Sequence, residues 1–112
     1  MQEPPFITRD RAYTFADYQS PIYNWFANGI GVDFAGCTAT LAFRVSPADP
    51  APLFEAATIT LATGAVSYVI ARASFVGVTA PIVHGDLLIT MSLGQVVEFA
   101  HIDLEILQGS TF

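Results

Sequence analysis

The chain has 112 residues and a net charge of −6, and its charged residues make up 12% of the total, against about 25% in an average soluble domain. This length favours one domain whose single core needs neither a disulfide nor a metal. The acidic balance and the lack of lysine exclude a nucleic-acid-binding surface, and no apolar run reaches the roughly 18 to 20 residues of a membrane-spanning helix.

Residues 1–12 are predicted to form an extended N-terminal arm, followed by a β-sandwich domain over residues 13–112. Pro4-Pro5 excludes a helix and favours an extended path. Phe6 and Ile7 then present two large apolar side chains along that path. Two alternatives stay open: the arm lies along the domain's own sheet edge as a terminal strand, or it docks on a neighbouring subunit.

Aromatic residues dominate the next segments. They alternate with small or polar residues over positions 13–18, which is typical of a strand. Pro21 interrupts the pattern, and Tyr23 and Trp25 belong to a second aromatic-rich segment. The Asn-Gly-Ile-Gly run at positions 28–31 then predicts a turn.

The clearest strand spans residues 37–45, where every odd position is apolar and every even position is small or polar. Such two-residue periodicity indicates one face on a core and the other toward solvent or a partner. Cys37, the only cysteine, is interpreted as a small apolar residue of the inner face, and Arg44 as a residue of the outer face.

The second half of the chain continues in strands and turns. We predict a proline-rich loop over 46–52, a hairpin of 53–61 with 65–70, one helical turn over 71–76, a strand over 87–91, a turn at 93–95 and a last strand over 96–107. Short strands separated by Gly and Pro turns indicate an all-β, antiparallel sandwich or barrel.

His84 and Asp86 are close in sequence, as the members of a catalytic pair can be. We instead assign Gly85 and Asp86 to the turn before a strand, with the Asp86 carboxylate closing that turn and His84 at the surface. No base, nucleophile and orienting group are recognisable together, so the sequence predicts no enzyme.

A row of possible metal ligands occurs on the polar side of the last strand, at His101, Asp103 and Glu105. Successive residues on one strand face are roughly 6.5 to 7 Å apart, which is too far for one compact ligand set. We therefore predict no metal and no cofactor, and assign His101 to an interface.

The segment Val32–Arg44 resembles a signature of small phage and prophage modules: hydrophobic-Asp-Leu-Thr-Gly-aromatic-Thr, then hydrophobic-x-hydrophobic-Arg. Here Phe34-Ala35 stands in place of Leu-Thr, and Cys37 in place of the aromatic residue. The order of the later strands and turns is also similar to that of the baseplate upper protein N-terminal domain family. Within the motif, Asp33 is expected to accept main-chain N–H groups in a turn and Gly36 to permit a positive φ.

The resemblance implies an immunoglobulin-like β-sandwich in a virion structural protein, joining tail, baseplate, fibre or head components after assembly in the host cytoplasm. Its partners would be other phage structural proteins and further copies of the chain. The scarcity of charge points the same way, because apolar surface marks contact sites. The interface residues we expect, with the tail over 109–112, are Phe6, Ile7, Tyr23, Trp25, Arg44, His101 and Phe112. The alternative is a carbohydrate-binding module that uses Tyr and Trp side chains.

Overall fold

A computed structural model describes residues 6–14, 16–46, 48–56 and 58–107 of the chain, and these confirm an all-β fold. Their single helical element is a 3-10 turn at Arg72–Phe75. The strands are β1 Phe6–Tyr13, β2 Tyr18–Gln19, β3 Tyr23–Asn24, β4 Phe26–Ala27, β5 Ile30–Gly31, β6 Thr38–Arg44, β7 Phe54–Glu55, β8 Thr58–Ala62, β9 Ala65–Ile70, β10 Ile82–Thr90 and β11 Val96–Leu107.

The first sheet has five strands in the order β1-β11-β10-β6-β7. All its pairings are antiparallel except that of β1 with β11, which is parallel and runs from Phe6 opposite Ala100 to Tyr13 opposite Leu107. The sheet of the predicted antiparallel sandwich therefore has one parallel pairing, at this edge. The two strands come from opposite ends of the chain, so no short connection forces them to run in opposite directions.

The second sheet is centred on β9. One side of β9 pairs with β8, while β2 and β3 pair with opposite ends of its other side. The predicted hairpin is therefore present as β8 and β9, but its first arm is split, because β7 at Phe54–Glu55 pairs with β6 in the first sheet. The strand predicted over 13–18 is likewise wrong: Tyr13 ends β1 and Tyr18 begins β2, so the chain changes sheets between them.

The core lies between the two sheets and follows the two-residue periodicity of the long strands. Leu41 and Phe43 are buried from β6, and the inward residues Ala100, Ile102, Leu104 and Ile106 of β11 are buried as predicted. A bulge opposite Leu87 and Leu88 makes Phe99 buried as well as Ala100. The 3-10 turn after β9 carries the chain between the sheets, and Phe75 closes the core there.

The N-terminal segment is the edge strand of the domain's own sheet over residues 6–13, which is one of the two alternatives left open by the sequence. Phe6 is half-buried and its ring packs 5.0 Å from that of Phe99, whereas Ile7 is 80% exposed. The Pro4-Pro5 pair lies outside the described residues.

A carboxylate in the core joins the edge strand to the second sheet. Asp10 of β1 is 8% exposed, and its Oδ2 accepts hydrogen bonds from the hydroxyls of Tyr23 (2.8 Å) and Tyr68 (2.9 Å). Its Oδ1 accepts a longer bond from the Thr8 hydroxyl (3.3 Å). Burial raises the pKa of Tyr68 far above its ordinary value, so this phenol remains a protonated donor. These three hydrogen bonds stabilise the Asp10 carboxyl group in the core, where a polar group without partners would be unfavourable.

The turn before β6 has the geometry that its sequence predicts. The main-chain N–H of Ala35 donates to Asp33 Oδ1 at 2.9 Å, and Gly36 has a φ of 76°. The Asp therefore closes an Asx turn and the Gly adopts the left-handed conformation that favours it.

Replacing Asp33 with alanine is expected to lower the free energy of unfolding by about 0.5 to 1.5 kcal/mol, because the N–H of Ala35 loses its acceptor. Asp33→Asn keeps the Oδ1 acceptor and serves as the matched control, which should unfold within a few tenths of a kcal/mol of the wild type. Urea unfolding of the three proteins measures the difference. Equal losses in both variants would contradict the Asx turn.

Gly85 and Asp86 do not form a turn, which corrects the sequence-based assignment. Both lie inside β10, which begins at Ile82 rather than at Leu87. Gly85 points into the core against the ring of Phe43, where a Cβ would lie 2.5 Å from a ring carbon. The sequence periodicity did not reveal that β10 begins at Ile82, because the inward position at Gly85 holds a glycine and not a large apolar residue.

No helix among the described residues is both long and apolar enough to span a bilayer.

Candidate functional site

The few charged residues of this chain are concentrated on one surface, the outward face of the five-stranded sheet, which we call the charged face. Among the described residues, which include every charged residue except Glu3, it carries eight charged side chains and both histidines. They are Arg9, Arg11, Arg44, Glu55, Asp86, Glu98, Asp103, Glu105, His84 and His101. The outward positions of β8 and β9 in the second sheet, by contrast, carry Thr, Ser, Ala and Val side chains.

Strand register places two His–Asp pairs side by side on this face. In the β10–β11 ladder, His84 is opposite Asp103 and Asp86 is opposite His101. Directly opposed residues of antiparallel strands bring their Cβ atoms within about 5.5 Å, so each imidazole reaches the facing carboxylate. We call these four residues the His–Asp cluster.

The His–Asp cluster is closely connected. His84 Nδ1 lies 2.7 Å from Asp103 Oδ1, and His101 Nδ1 lies 3.0 Å from Asp86 Oδ1. The second ring nitrogen of His101, Nε2, lies 3.2 Å from Asp103 Oδ1. The two imidazole rings are nearly parallel, with 17° between their planes and 6.2 Å between centroids. The Asp103 oxygen is therefore shared between both histidines.

His101 has a carboxylate oxygen at each of its ring nitrogens. Only the protonated imidazolium can donate from both nitrogens at once. The hydrogen bond with Asp86 is the largest of the effects that raise the pKa of His101 above its ordinary value, against a smaller opposing effect of burial. The hydrogen bond from His84 is likewise the first reason that the pKa of Asp103 lies below its ordinary value.

The sequence argument against a compact ligand set at His101, Asp103 and Glu105 considered β11 alone, and the structure brings other residues together. Along β11 the side chains of His101 and Asp103 reach each other despite the spacing of their Cβ atoms, and β10 supplies further groups from the adjacent positions. One potential ligand atom from each of His84, His101 and Asp103 lies within 4.8 Å of the others. One potential ligand atom from each of Asp86, Glu98 and His101 likewise lies within 4.8 Å of the other two. The sequence holds one signal of this cluster. His-x-Asp occurs at 84–86 and again at 101–103, on either side of the predicted hairpin turn.

A depression lies beside the cluster on the charged face. It has a volume of about 540 Å³ and shares Asp86 with the His–Asp cluster. Arg44 reaches over this depression, and its Nε donates to the main-chain carbonyl of Asp49 at 3.0 Å. The lining residues are Thr40, Ala42, Arg44, Asp49, Pro52, Glu55, Asp86 and Leu88.

The residues predicted for an interface are not gathered in one place. Ile7 is exposed on the charged face opposite His101. Tyr23 and Trp25 are half-buried and pack against the core, the ring of Trp25 lying 5.8 Å from that of Phe99. Like Phe6, these two aromatic side chains pack against the core, and their place in an interface stays a prediction. Phe112 and the tail over 109–112 lie outside the described residues.

Four of the 11 exposed large apolar residues among the described residues lie on or beside turns that touch in pairs, a region we call the turn end. There the β4–β5 hairpin touches the β8–β9 turn, since a Cβ on Gly31 would lie 3.1 Å from Gly64 Cα. The 33–36 turn touches the β10–β11 turn through Gly36 and Ser92. The exposed apolar residues of the turn end are Leu93 (97% exposed), Ile30 (72%), Val96 (59%) and Phe26 (39%).

No protein-family model matches this chain, and no curated protein is found to be similar to it.

Proposed function

We propose that this chain is a non-enzymatic structural module of a bacteriophage particle, an immunoglobulin-like β-sandwich that joins tail, baseplate, fibre or head components. Its partners are other structural proteins of the particle, including further copies of itself. The observation that carries the proposal is the turn end, where Leu93, Ile30 and Val96 expose their apolar side chains. None of the three packs against the core cluster.

Exposed apolar side chains gathered on one surface favour association, because their burial against a partner removes them from water. The proposal also draws support from the Asp33–Arg44 motif, whose Asx turn and left-handed glycine are present in the structure. The position of the His–Asp cluster on an open sheet face, rather than in a deep cleft, agrees with a non-enzymatic role.

The aromatic platform of a carbohydrate-binding module gains no support from this geometry. Trp25 lies against the rings of Phe34 and Phe99, and the Tyr23 hydroxyl donates to the buried Asp10. A sugar would stack on open ring faces, and these core contacts take up part of both side chains.

The assembly proposal predicts that purified wild-type protein associates with increasing concentration and that an Ile30→Asp/Leu93→Asp variant does so far less. Two carboxylates at the turn end would oppose burial of that surface against a partner, since desolvating an unpaired charge is unfavourable. Sedimentation velocity over a concentration series measures the association. Mass spectrometry of purified particles from the phage or prophage that carries the gene tests for the chain in the virion.

Val76→Asp is the matched control. Val76 is 82% exposed and follows the 3-10 turn at the opposite end of β9 from the turn end, so the change is chemically equal but differently placed. The Val76→Asp variant should associate like the wild type. A wild-type protein that stays monomeric throughout the series and is missing from the particles would contradict the proposal.

A further inference from the structure

We propose that the His–Asp cluster is a binding site for a divalent transition-metal ion such as Zn²⁺, with His84, His101 and Asp103 as its protein ligands. The ligand atoms are His84 Nδ1, His101 Nε2 and Asp103 Oδ1, all on the outward face of adjacent strands β10 and β11.

The separations of these atoms are close to those of a metal site. A tetrahedral Zn²⁺ with bonds of about 2.0 to 2.1 Å holds its ligand atoms roughly 3.3 Å apart. Asp103 Oδ1 lies 2.7 Å from His84 Nδ1 and 3.2 Å from His101 Nε2, and the three ligand atoms are within 4.8 Å of one another. The separation of His101 Nε2 from Asp103 Oδ1 already fits such a site, whereas His84 Nδ1 must move away from Asp103 Oδ1 to admit the ion.

Asp86 is not one of the proposed ligands, but it orients the ligand His101. Its Oδ1 lies 3.0 Å from His101 Nδ1, the ring nitrogen that faces away from Asp103. A carboxylate that accepts the second N–H of a metal-bound histidine fixes the tautomer and the orientation of the ring. His101 therefore already has its orienting partner at Nδ1, and Zn²⁺ would take the place of the proton between Nε2 and Asp103 Oδ1.

The ligand types select the class of metal. Two imidazoles and one carboxylate suit Zn²⁺ and neighbouring transition metals, whereas Ca²⁺ and Mg²⁺ prefer sets made of oxygen atoms. Each of the three side chains is 27% to 29% exposed, so the ion can enter from solvent and retain water at an open position.

Charges of both signs surround the cluster, and the nearby carboxylates outnumber the two guanidinium groups. Arg9 and Arg44 occupy the strand positions next to Asp103 and His84. The Arg44 Nε, however, is bonded to the Asp49 carbonyl. The carboxylates of Asp86 and Glu98 lie on the other side, with ligand atoms within 4.8 Å of His101. Together with Asp103 they supply three negative charges near the site.

The test is calorimetric titration of chelator-treated protein with ZnCl₂. We expect saturable binding of one Zn²⁺ per chain, abolished by His101→Ala and His84→Ala and weakened about 10- to 100-fold by Asp86→Asn, which removes only the orienting partner. Glu55→Gln is the matched control for loss of charge on the same face, and Cys37→Ser for thiol binding; both should bind like the wild type.

Nuclear magnetic resonance of the wild type gives a second readout that does not depend on a variant's folding. The chain has two histidines, so both sets of ring nitrogen resonances should shift together at one equivalent of Zn²⁺. Absence of binding, or ring resonances that stay unchanged while heat is released, overturns the proposal. Binding lost in Cys37→Ser, or lost in Glu98→Gln but retained in His84→Ala, also overturns it.

Discussion

Asp10→Ala is expected to lower the free energy of unfolding by about 3 to 5 kcal/mol, a large share of the roughly 5 to 15 kcal/mol that stabilises a typical domain. The alanine leaves the hydroxyls of Tyr23 and Tyr68 without the carboxylate that accepts both of their hydrogen bonds. Each orphaned buried donor costs about 1 to 3 kcal/mol. Tyr68 is fully buried, so water cannot replace the lost acceptor without opening the core.

Two further variants separate the hydrogen bonds from the loss of volume. Asp10→Asn keeps one carbonyl oxygen in place and should lose about half as much stability. Adding Tyr23→Phe and Tyr68→Phe to Asp10→Ala removes the two tyrosine donors and should recover part of the loss, because removing both partners of a buried hydrogen bond is less costly than removing one.

Urea unfolding at constant pH compares these proteins, and hydrogen exchange of β1 amides locates the damage. Since Asp10 joins the edge strand to the second sheet, β1 should lose protection before β9 and β11 do. An Asp10→Ala protein as stable as the Asn variant would show that the tyrosine hydroxyls do not depend on this carboxylate.

Gly85→Ala is expected to lower the free energy of unfolding by about 2 kcal/mol, against the usual direction for this exchange. In a strand interior alanine is normally the more stable residue by roughly 0.5 to 1 kcal/mol. Here its Cβ would lie 2.5, 2.7 and 3.0 Å from three carbons of the Phe43 ring. That ring is fully buried and stacks 5.2 Å from the ring of Phe54, so it cannot move aside without strain.

The matched test is a double-mutant cycle with Phe43→Leu. Leucine removes the ring carbons that the new methyl group meets, so the double variant should be more stable than the sum of the two single losses predicts, by about 1 kcal/mol or more. Thermal or urea unfolding of the four proteins gives the coupling. A Gly85→Ala variant more stable than the wild type would show that the core accommodates the methyl group.

The sequence predicted best those features that depend on neighbouring residues. The alternation over 37–45 and 96–107 located β6 and β11 to within a residue, because inward and outward positions differ in hydrophobicity along one strand. The Asx turn at Asp33 and the left-handed Gly36 also came from local residue chemistry. Where the inward position was a glycine, at Gly85, the same periodicity gave no signal.

The sequence did not indicate which distant segments contact each other. The acceptor of Tyr68 is 58 positions away at Asp10, and nothing in either segment identifies the other. His84 and Asp103 are 19 positions apart, and their contact depends on the register of the β10–β11 pair and on an early start of β10. Register across a sheet is set by the packing of whole strands, which a one-strand spacing argument omits.

By itself the sequence determined that the chain is all-β, which faces of β6 and β11 turn inward, and how the turn before β6 closes, because these properties follow from side chains within one or two residues of each other. Only the tertiary structure decided that residues 6–13 form a parallel edge strand, that Asp10 is held by two tyrosines, and that two histidines and two aspartates meet on one face. These features arise where separate strands are brought together, and the free energy that brings them together is that of the shared core.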